Sequence, residues 1–168
     1  MSKINSALVQ INEQECDILK RPCFQVNIRL MKENKSYFEI ISNIVDYMKI
    51  IMDTKFSDYN NLQGLSGANV GIPFNIVIIY HKNKQVVMLN PVIIKKSDEC
   101  RTVLSNCGSI NLKEPIEVSR FTEVLVRYIP FTMNGDLKYQ EKIFKSGTVQ
   151  HEIEHNLGIL ITDKKTAS

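Results

Sequence analysis

Two histidines four residues apart, with a glutamate beside the first, form the stretch of this chain that can carry a reaction: His151-Glu152-Ile153-Glu154-His155. On a helix, positions four apart share one face, so both imidazoles can turn a nitrogen toward a single ion. Glu152 then lies beside the ion's open position, where it can take a proton from a water whose pKa the metal has lowered. That is the chemistry of a metal-dependent amide hydrolase. The bland alternative is an amphipathic helix that carries His and Glu by accident. Histidine usage weighs against it, because the chain has three histidines and two fall in this motif.

A catalytic metal of this kind needs a third protein ligand. In one metalloprotease pattern a further His follows six residues after the second, and here that position is Ile161. The downstream carboxylate is Asp163, which does not suit the spacing either. Upstream, Cys107 in Ser105-Asn106-Cys107-Gly108-Ser109 is the best candidate, since it stands between strand-like runs and next to a glycine that favours a turn. Cys100 raises the alternative of a two-cysteine site. One thiolate with two imidazoles is preferred, because catalysis needs a position open to water.

The elements that must position these groups can be read from periodicity. Residues 147 to about 157 form the closing helix, capped by Ser146 and ended at Gly158, with Val149, Ile153 and Leu157 as the face that packs on a sheet. From 36 to about 55, Phe38, Ile41, Val45, Met48 and Met52 recur at helical spacing and predict a long amphipathic helix. A polar segment, 56–61, leads into a glycine-rich loop at 64–71. That loop lacks the lysine of a P-loop and the spacing of a dinucleotide fingerprint. It reads instead as backbone lying close to a peptide, with Gly64 avoiding a side-chain clash and an exposed edge open to strand pairing.

Strands are expected at 76–80 and 85–89, joined by a turn at Lys82-Asn83-Lys84, and at 92–95, 101–104, 116–119, 123–129 and 137–144. Residues 1–34 read as extended segments with turns, and His81 as a solvated surface residue. The expected class is α+β, in one domain spanning 1–168.

Composition excludes several classes. With 43% hydrophobic and 23% charged residues the chain is ordinary for a globular protein. Its net charge of +3 is the small difference between 21 scattered basic and 18 acidic residues, which gives no patch for nucleic acid. No apolar run has the length of a membrane span and the first residues lack a signal core, so the expected location is cytoplasmic. Thiols there stay reduced, and Cys16, Cys23 and Cys100 read as small core or surface residues.

The chain resembles the peptide deformylases, whose members carry G-x-G-L-A-A-x-Q, E-G-C-L-S and Q-H-E-x-D-H in that order. The third motif reads Gln150-His151-Glu152-Ile153-Glu154-His155, with Glu154 for Asp, and Gly158 and Leu160 follow at the family's spacing. The second keeps Cys107 and Ser109 and has Ser105, Asn106 and Gly108 for Glu, Gly and Leu. The first, Leu62-Gln63-Gly64-Leu65-Ser66-Gly67-Ala68-Asn69, keeps Gly64 and Leu65 and has Asn69 for Gln. Like residues recur at Leu89-Asn90-Pro91, from Ser119-Arg120 to Tyr128, and at Gly135, so the similarity covers most of residues 8 to 162.

The resemblance implies mixed and antiparallel sheets packed around a central metal-binding helix, and hydrolysis of the formyl amide of N-terminal formylmethionine with release of formate. It assigns Cys107, His151 and His155 to the metal, Glu152 to general acid and base work, and the Asn69 amide and the Gly108 N–H to the oxyanion. Asn69 is one methylene shorter than the family's Gln, and a lost oxyanion donor typically costs about 10²–10³ in rate. Gly64, Leu65 and Val149 are the expected substrate contacts. The cofactor is one divalent ion, with Fe2+ first and Zn2+, Ni2+ or Co2+ as alternatives. The expected partner is a formylmethionyl peptide or nascent chain near the ribosome, with no nucleic acid and no membrane. Rival readings are the same fold acting on another amide, or a metal-binding relative with little catalysis.

Overall fold

The computed structural model describes residues 18–59, 63–82, 84–110 and 112–164, without the side chains of 55–59. Cys16, Leu62 and Asn83, named above, lie outside the described residues. Strands β1 (Gly64–Ser66), β2 (Ile76–His81), β3 (Lys84–Lys96), β6 (Val124–Pro130) and β7 (Gln140–Phe144) form a five-stranded sheet in the order β1-β2-β3-β6-β7. Strands β4 (Cys100–Ser105) and β5 (Ile116–Phe121) make a separate pair. Every ladder is antiparallel, and the Phe24–Phe74 bridge is the one parallel contact among the described residues.

The sequence of β2 shows what covers the sheet. Ile76-Val77-Ile78-Ile79 is buried at every position, which happens when both faces of a strand are packed. Ile76 and Ile78 join a cluster with Ile41, Val45, Met48 and Met52 of helix α2 (Lys35–Tyr59). Val77 and Ile79 face the other way, onto Val149 and Ile153 of helix α3 (Gly147–Asn156). The result is three layers, α2, sheet and α3, with the β4-β5 pair beyond the metal-ligand side of α3. A smaller cluster of Cys107, Val118 and Ile161 sews that pair to a 3-10 turn at Ile161–Lys164.

The structure departs from the sequence reading in several places, each with a local cause. Residues read as extended contain helix α1 (Ile28–Glu33), started by the Asn27 side chain accepting from the Leu30 N–H. Asn34 does the same for Tyr37 at the head of α2. Both caps flank a helix too short to show a period. Helix α2 runs on to Tyr59, since no glycine or proline falls between 55 and 59 to end it earlier. The runs at 85–89 and 92–95 belong to one strand, β3, interrupted by Asn90 at φ 51° and a shift of register against β6. Strand β7 starts at Gln140, and Leu137 goes to the α2 cluster instead. Leu157 is the C-cap of α3 and is 54% exposed, so it does not pack on the sheet. Gly158 follows at φ 75°, the left-handed conformation expected just past a helix end. His81 is half-buried, edge-on to Phe144 at 5.9 Å.

Asn90 does more than break the ladder. Its Oδ1 accepts from the Val26 N–H at 2.8 Å and its Nδ2 donates to the Val26 carbonyl at 2.9 Å, so it pairs like a strand residue with a segment that has no strand partner there. Asn90→Ala should lower stability by at least about 2 kcal/mol, since it leaves two buried backbone groups unpaired. Asn90→Gly, which tolerates the positive φ, should be nearly as damaging in a thermal melt. A neutral glycine variant would mean that the backbone angle, and not the pairing with Val26, is what matters.

Candidate active site

Helix α3 begins with Ser146, whose Oγ accepts from the Thr148 N–H at 3.1 Å. Gln150 then ties the helix to the edge of β5: Nε2 donates to the Phe121 carbonyl at 2.8 Å and Oε1 accepts from the Phe121 N–H at 3.1 Å. With Val149 and Ile153 seated on the sheet, the helix can present His151, Glu152 and His155 to one place only. Cys107 arrives there from the turn after β4.

The ligand atoms of Cys107, His151 and His155 all lie within 4.8 Å of one another. Cys107 Sγ is 3.2 Å from His155 Nε2, which is 3.1 Å from His151 Nε2. Tetrahedral bonds of ordinary length to a common ion separate two nitrogens by about 3.3 Å and a nitrogen from a sulfur by about 3.6 Å. The spacing therefore fits a small divalent ion. Donor chemistry agrees, since one thiolate and two imidazoles suit a first-row transition metal and leave a position open. A further sign is Glu152 Oε2, a buried carboxylate oxygen with no hydrogen-bond partner, which sits where a water or substrate would supply one.

Burial sets the protonation of these groups. It pushes the Cys107 thiol up to about 12, against the pull of backbone N–H groups at Ser109 and Ile110 and with a push from Glu152. Burial also holds His151 well below the usual histidine range, helped by His155, Arg120 and Lys164, and brings His155 down to about 4. Both imidazoles are thus neutral, the form that binds a metal. Glu152 is pushed up to about 8 by burial, while Arg120 and a backbone hydrogen bond from Ser66 draw it back. A carboxyl poised near neutrality suits a group that takes and returns one proton.

Arg120 is the group that sequence reading placed in a matching stretch without giving it a task. Its side chain is buried, pairs with Glu154, and brings Nη2 to 3.4 Å from His151 Nδ1. Lys164 pairs with the other oxygen of Glu154. Nothing in the sequence marks an arginine on a short strand as buried. The only signal available was the second carboxylate of the histidine motif, which needed a cation.

A cavity of about 550 Å³ opens in front of these residues. Gly64, Leu65, Asn69, Cys107, Gly108, His151 and Glu152 are in its wall, so the structure brings these expected site residues together. His155 lies behind them, 1% exposed. Val149 is elsewhere, fully buried among Val77, Ile79 and Phe144, because one step along a helix turns a side chain by about 100°. Thr148 takes the place at the wall. Asn69 uses its Oδ1 on Ser66 and its Nδ2 on Ser109. Strand β1 pairs with β2 on one side only and ends the sheet order, leaving its other edge beside the cavity.

A buried cysteine and two imidazoles that converge on one point, with a carboxyl group on the same helix and a strand edge beside it, define a metal-dependent amide hydrolase. The sequence model of the polypeptide deformylases matches residues 7–168. A peptide deformylase of Finegoldia magna is 31% identical over 128 residues, 74% of this chain and 78% of its own. Among solved structures, the class I type b peptide deformylase of Acinetobacter baumannii is similar at TM-score 0.72 and 26% identity, covering 94% of this chain and 97% of its own. A further structure of the Acinetobacter enzyme, with Met-Ala-Ser bound, gives 0.71 at 24% identity over 94% of this chain and 96% of its own. The chain belongs to the polypeptide deformylase family, and is a hydrolase of N-formyl groups on polypeptides.

Gly64 brings the backbone of β1 close against Glu152. A Cβ added there would lie 2.7 Å from Glu152 Cγ, 2.7 Å from Thr148 Cγ2 and 2.9 Å from Glu152 Oε1. Gly64→Ala should therefore displace Glu152 and cut turnover of a formylated peptide by up to about 10²-fold. Metal content and melting temperature should change little, and an alanine variant with wild-type turnover would show that the base tolerates the shift.

Proposed function

We propose that this chain removes the formyl group from N-terminal formylmethionine of new polypeptides, with Cys107, His151 and His155 as the metal ligands and Glu152 as the proton carrier. The observation that carries the reading is Glu152 itself: a buried carboxylate with an unpartnered oxygen, beside three convergent ligand atoms and a cavity. A purely structural metal site has no use for such a group.

When bound, a divalent ion supplies Lewis acidity, polarising the formyl carbonyl and making water more acidic. The protein residues do the rest. The peptide lies extended along the free edge of β1, held by backbone pairing beside Gly64 and Leu65. Glu152 takes a proton from the attacking water. Negative charge grows on the former carbonyl oxygen, and the backbone N–H of Gly108, a residue of the cavity wall, is its first proposed donor. Asn69 is the second donor to this oxygen, through the Nδ2 hydrogen that Ser109 does not use. As the carbon–nitrogen bond breaks, Glu152 hands its proton to the leaving amine, and formate and a free N-terminus are released.

One thiolate and two imidazoles suit iron(II), zinc, nickel or cobalt alike, and iron(II) comes first because peptide deformylases usually work best with it. The Met-Ala-Ser peptide held by the Acinetobacter relative supports a peptide substrate beginning with methionine. Such substrates arise at the ribosome, so the cytoplasm is the proposed place of work. One observation favours a second reading, a changed side-chain preference: Gln63, Ser105, Ser146 and Thr148 put polar side chains in the wall alongside Leu65, Val103 and Leu104.

Formate release from a formyl-Met peptide by anaerobically prepared, iron-loaded protein tests both. Glu152→Gln should retain one metal per chain and lose about 10²–10⁴ in rate. Rapid release from peptides with a polar first residue and little from formyl-Met would overturn the first reading in favour of the second.

A further inference from the structure

Ser66, Asn69 and Ser109 join the loop after β1 to the turn that carries Cys107. Asn69 Oδ1 accepts from the Ser66 N–H at 2.9 Å and from Ser66 Oγ at 2.6 Å, while Nδ2 donates to Ser109 Oγ at 3.0 Å. Both serines are fully buried and Asn69 is 6% exposed. The Ser66 N–H fixes the orientation of the amide, because a backbone donor can be met only by its oxygen. Ser109, at the far end, donates its backbone N–H to Cys107.

The two ends of this chain differ in stiffness. On the β1 side, Gly67 is wedged so tightly that a Cβ would lie 2.4 Å from the Phe74 carbonyl oxygen and 2.7 Å from that of Ile72. Its N–H donates to the Ile76 carbonyl and its own carbonyl accepts from Ile72. On the other side, Cys107 sits in a turn closed by an Ile110 N–H to Cys107 carbonyl bond of 3.2 Å, with Gly108 inside it. Glycine is the residue that least resists rotation. A metal ligand on such a turn needs an external brace to stay within tenths of an ångström of its two partners.

We propose that Ser66, Asn69 and Ser109 form a clasp that sets the Cys107 sulfur in place for the metal, which makes Asn69 and Ser109 positioning residues of the metal site. The inference rests on the reading of Cys107, His151 and His155 as ligands and is independent of which amide is cleaved. It gives Asn69 a task that a shorter amide performs well, whatever it also contributes to the oxyanion.

Cobalt-loaded protein provides a readout separate from turnover, through the thiolate-to-cobalt charge-transfer band and through cobalt affinity in competition with a chelator. Ser109→Ala and Asn69→Ala should each weaken cobalt binding by about 10–100-fold and move the band. The double variant should be little worse than the weaker single one, since both changes open the same clasp. Ser66→Ala, which loosens the far end, gives the same readouts in a milder form should Ser109→Ala fail to fold. Unchanged affinity and an unmoved band in folded Ser109→Ala would overturn the inference, leaving the three residues as core hydrogen bonding. Slow turnover of Asn69→Ala with wild-type cobalt binding would overturn it too, leaving Asn69 as a substrate donor only. Absence of any thiolate band in the wild-type protein would instead remove the metal-site reading beneath it.

Discussion

Helix α3 has to satisfy two surroundings at once. Val149 and Ile153 need the apolar face of the sheet, and His151, Glu152 and His155 need a place where imidazoles and a carboxylate can be held without bulk water. The sheet, the β4-β5 pair and the turn at Cys107 enclose the helix so that both needs are met. Once it is seated, its polar side has no freedom left. The Gln150 clamp on Phe121 fixes its sliding and its rotation together, because both ends of one amide are engaged with one residue's backbone. Each fully buried aliphatic side chain contributes about 1.5–3 kcal/mol. Val149 and Ile153 are the two such side chains on α3, so the polar face has to be stabilised by its own partners as well.

That cost is managed by charge placed at one remove. Arg120 is buried beside the site and is answered by Glu154, which Lys164 also holds. The cation favours the neutral form of His151 and His155 and the ionised form of Glu152. The first two effects keep both imidazoles free of protons, and the third partly offsets the burial that pushes the Glu152 carboxyl up. A buried pair of this sort is not a source of net stability, since desolvation offsets most of the attraction. Its contribution here lies in the electrostatics of the helix face, where Glu154 stands between the two histidines in sequence and pairs with Arg120 and Lys164.

Much of this was legible from the chain alone. His151, Glu152 and His155 declare themselves by spacing, and the apolar stripes of α2 and α3 give those helices because period and burial coincide there. Strand β2 was legible for the same reason. What escaped was structure made by single polar side chains. Asn27 and Asn34 cap a helix of six residues, Asn90 bridges a break in β3, and Arg120 is taken inside by Glu154. The two caps act three residues away but flank a helix too short to show a period, while Asn90 and Arg120 depend on partners far along the chain that no local pattern announces. Val149 shows the limit from the other side: its residue type suits a substrate pocket or a core equally, and only the rotation of the helix decides.

The substitutions in the first two motifs are best understood together. Asn69, Ser105 and Gly108 all stand in one wall, and a site losing its function would be expected to leave broken hydrogen bonds there. Among the described residues the buried side-chain atoms without partners are Glu152 Oε2 and His155 Nδ1, and neither belongs to a substituted position. Asn69 instead has both ends of its amide engaged, one with Ser66 and one with Ser109, the serine that the second motif retains. A side chain longer by one methylene would carry its amide roughly 1.5 Å further and could not meet both serines with the backbone where it is. The shorter residue and its partners thus form a self-consistent set, in which one amide joins the loop after β1 to the turn that carries Cys107.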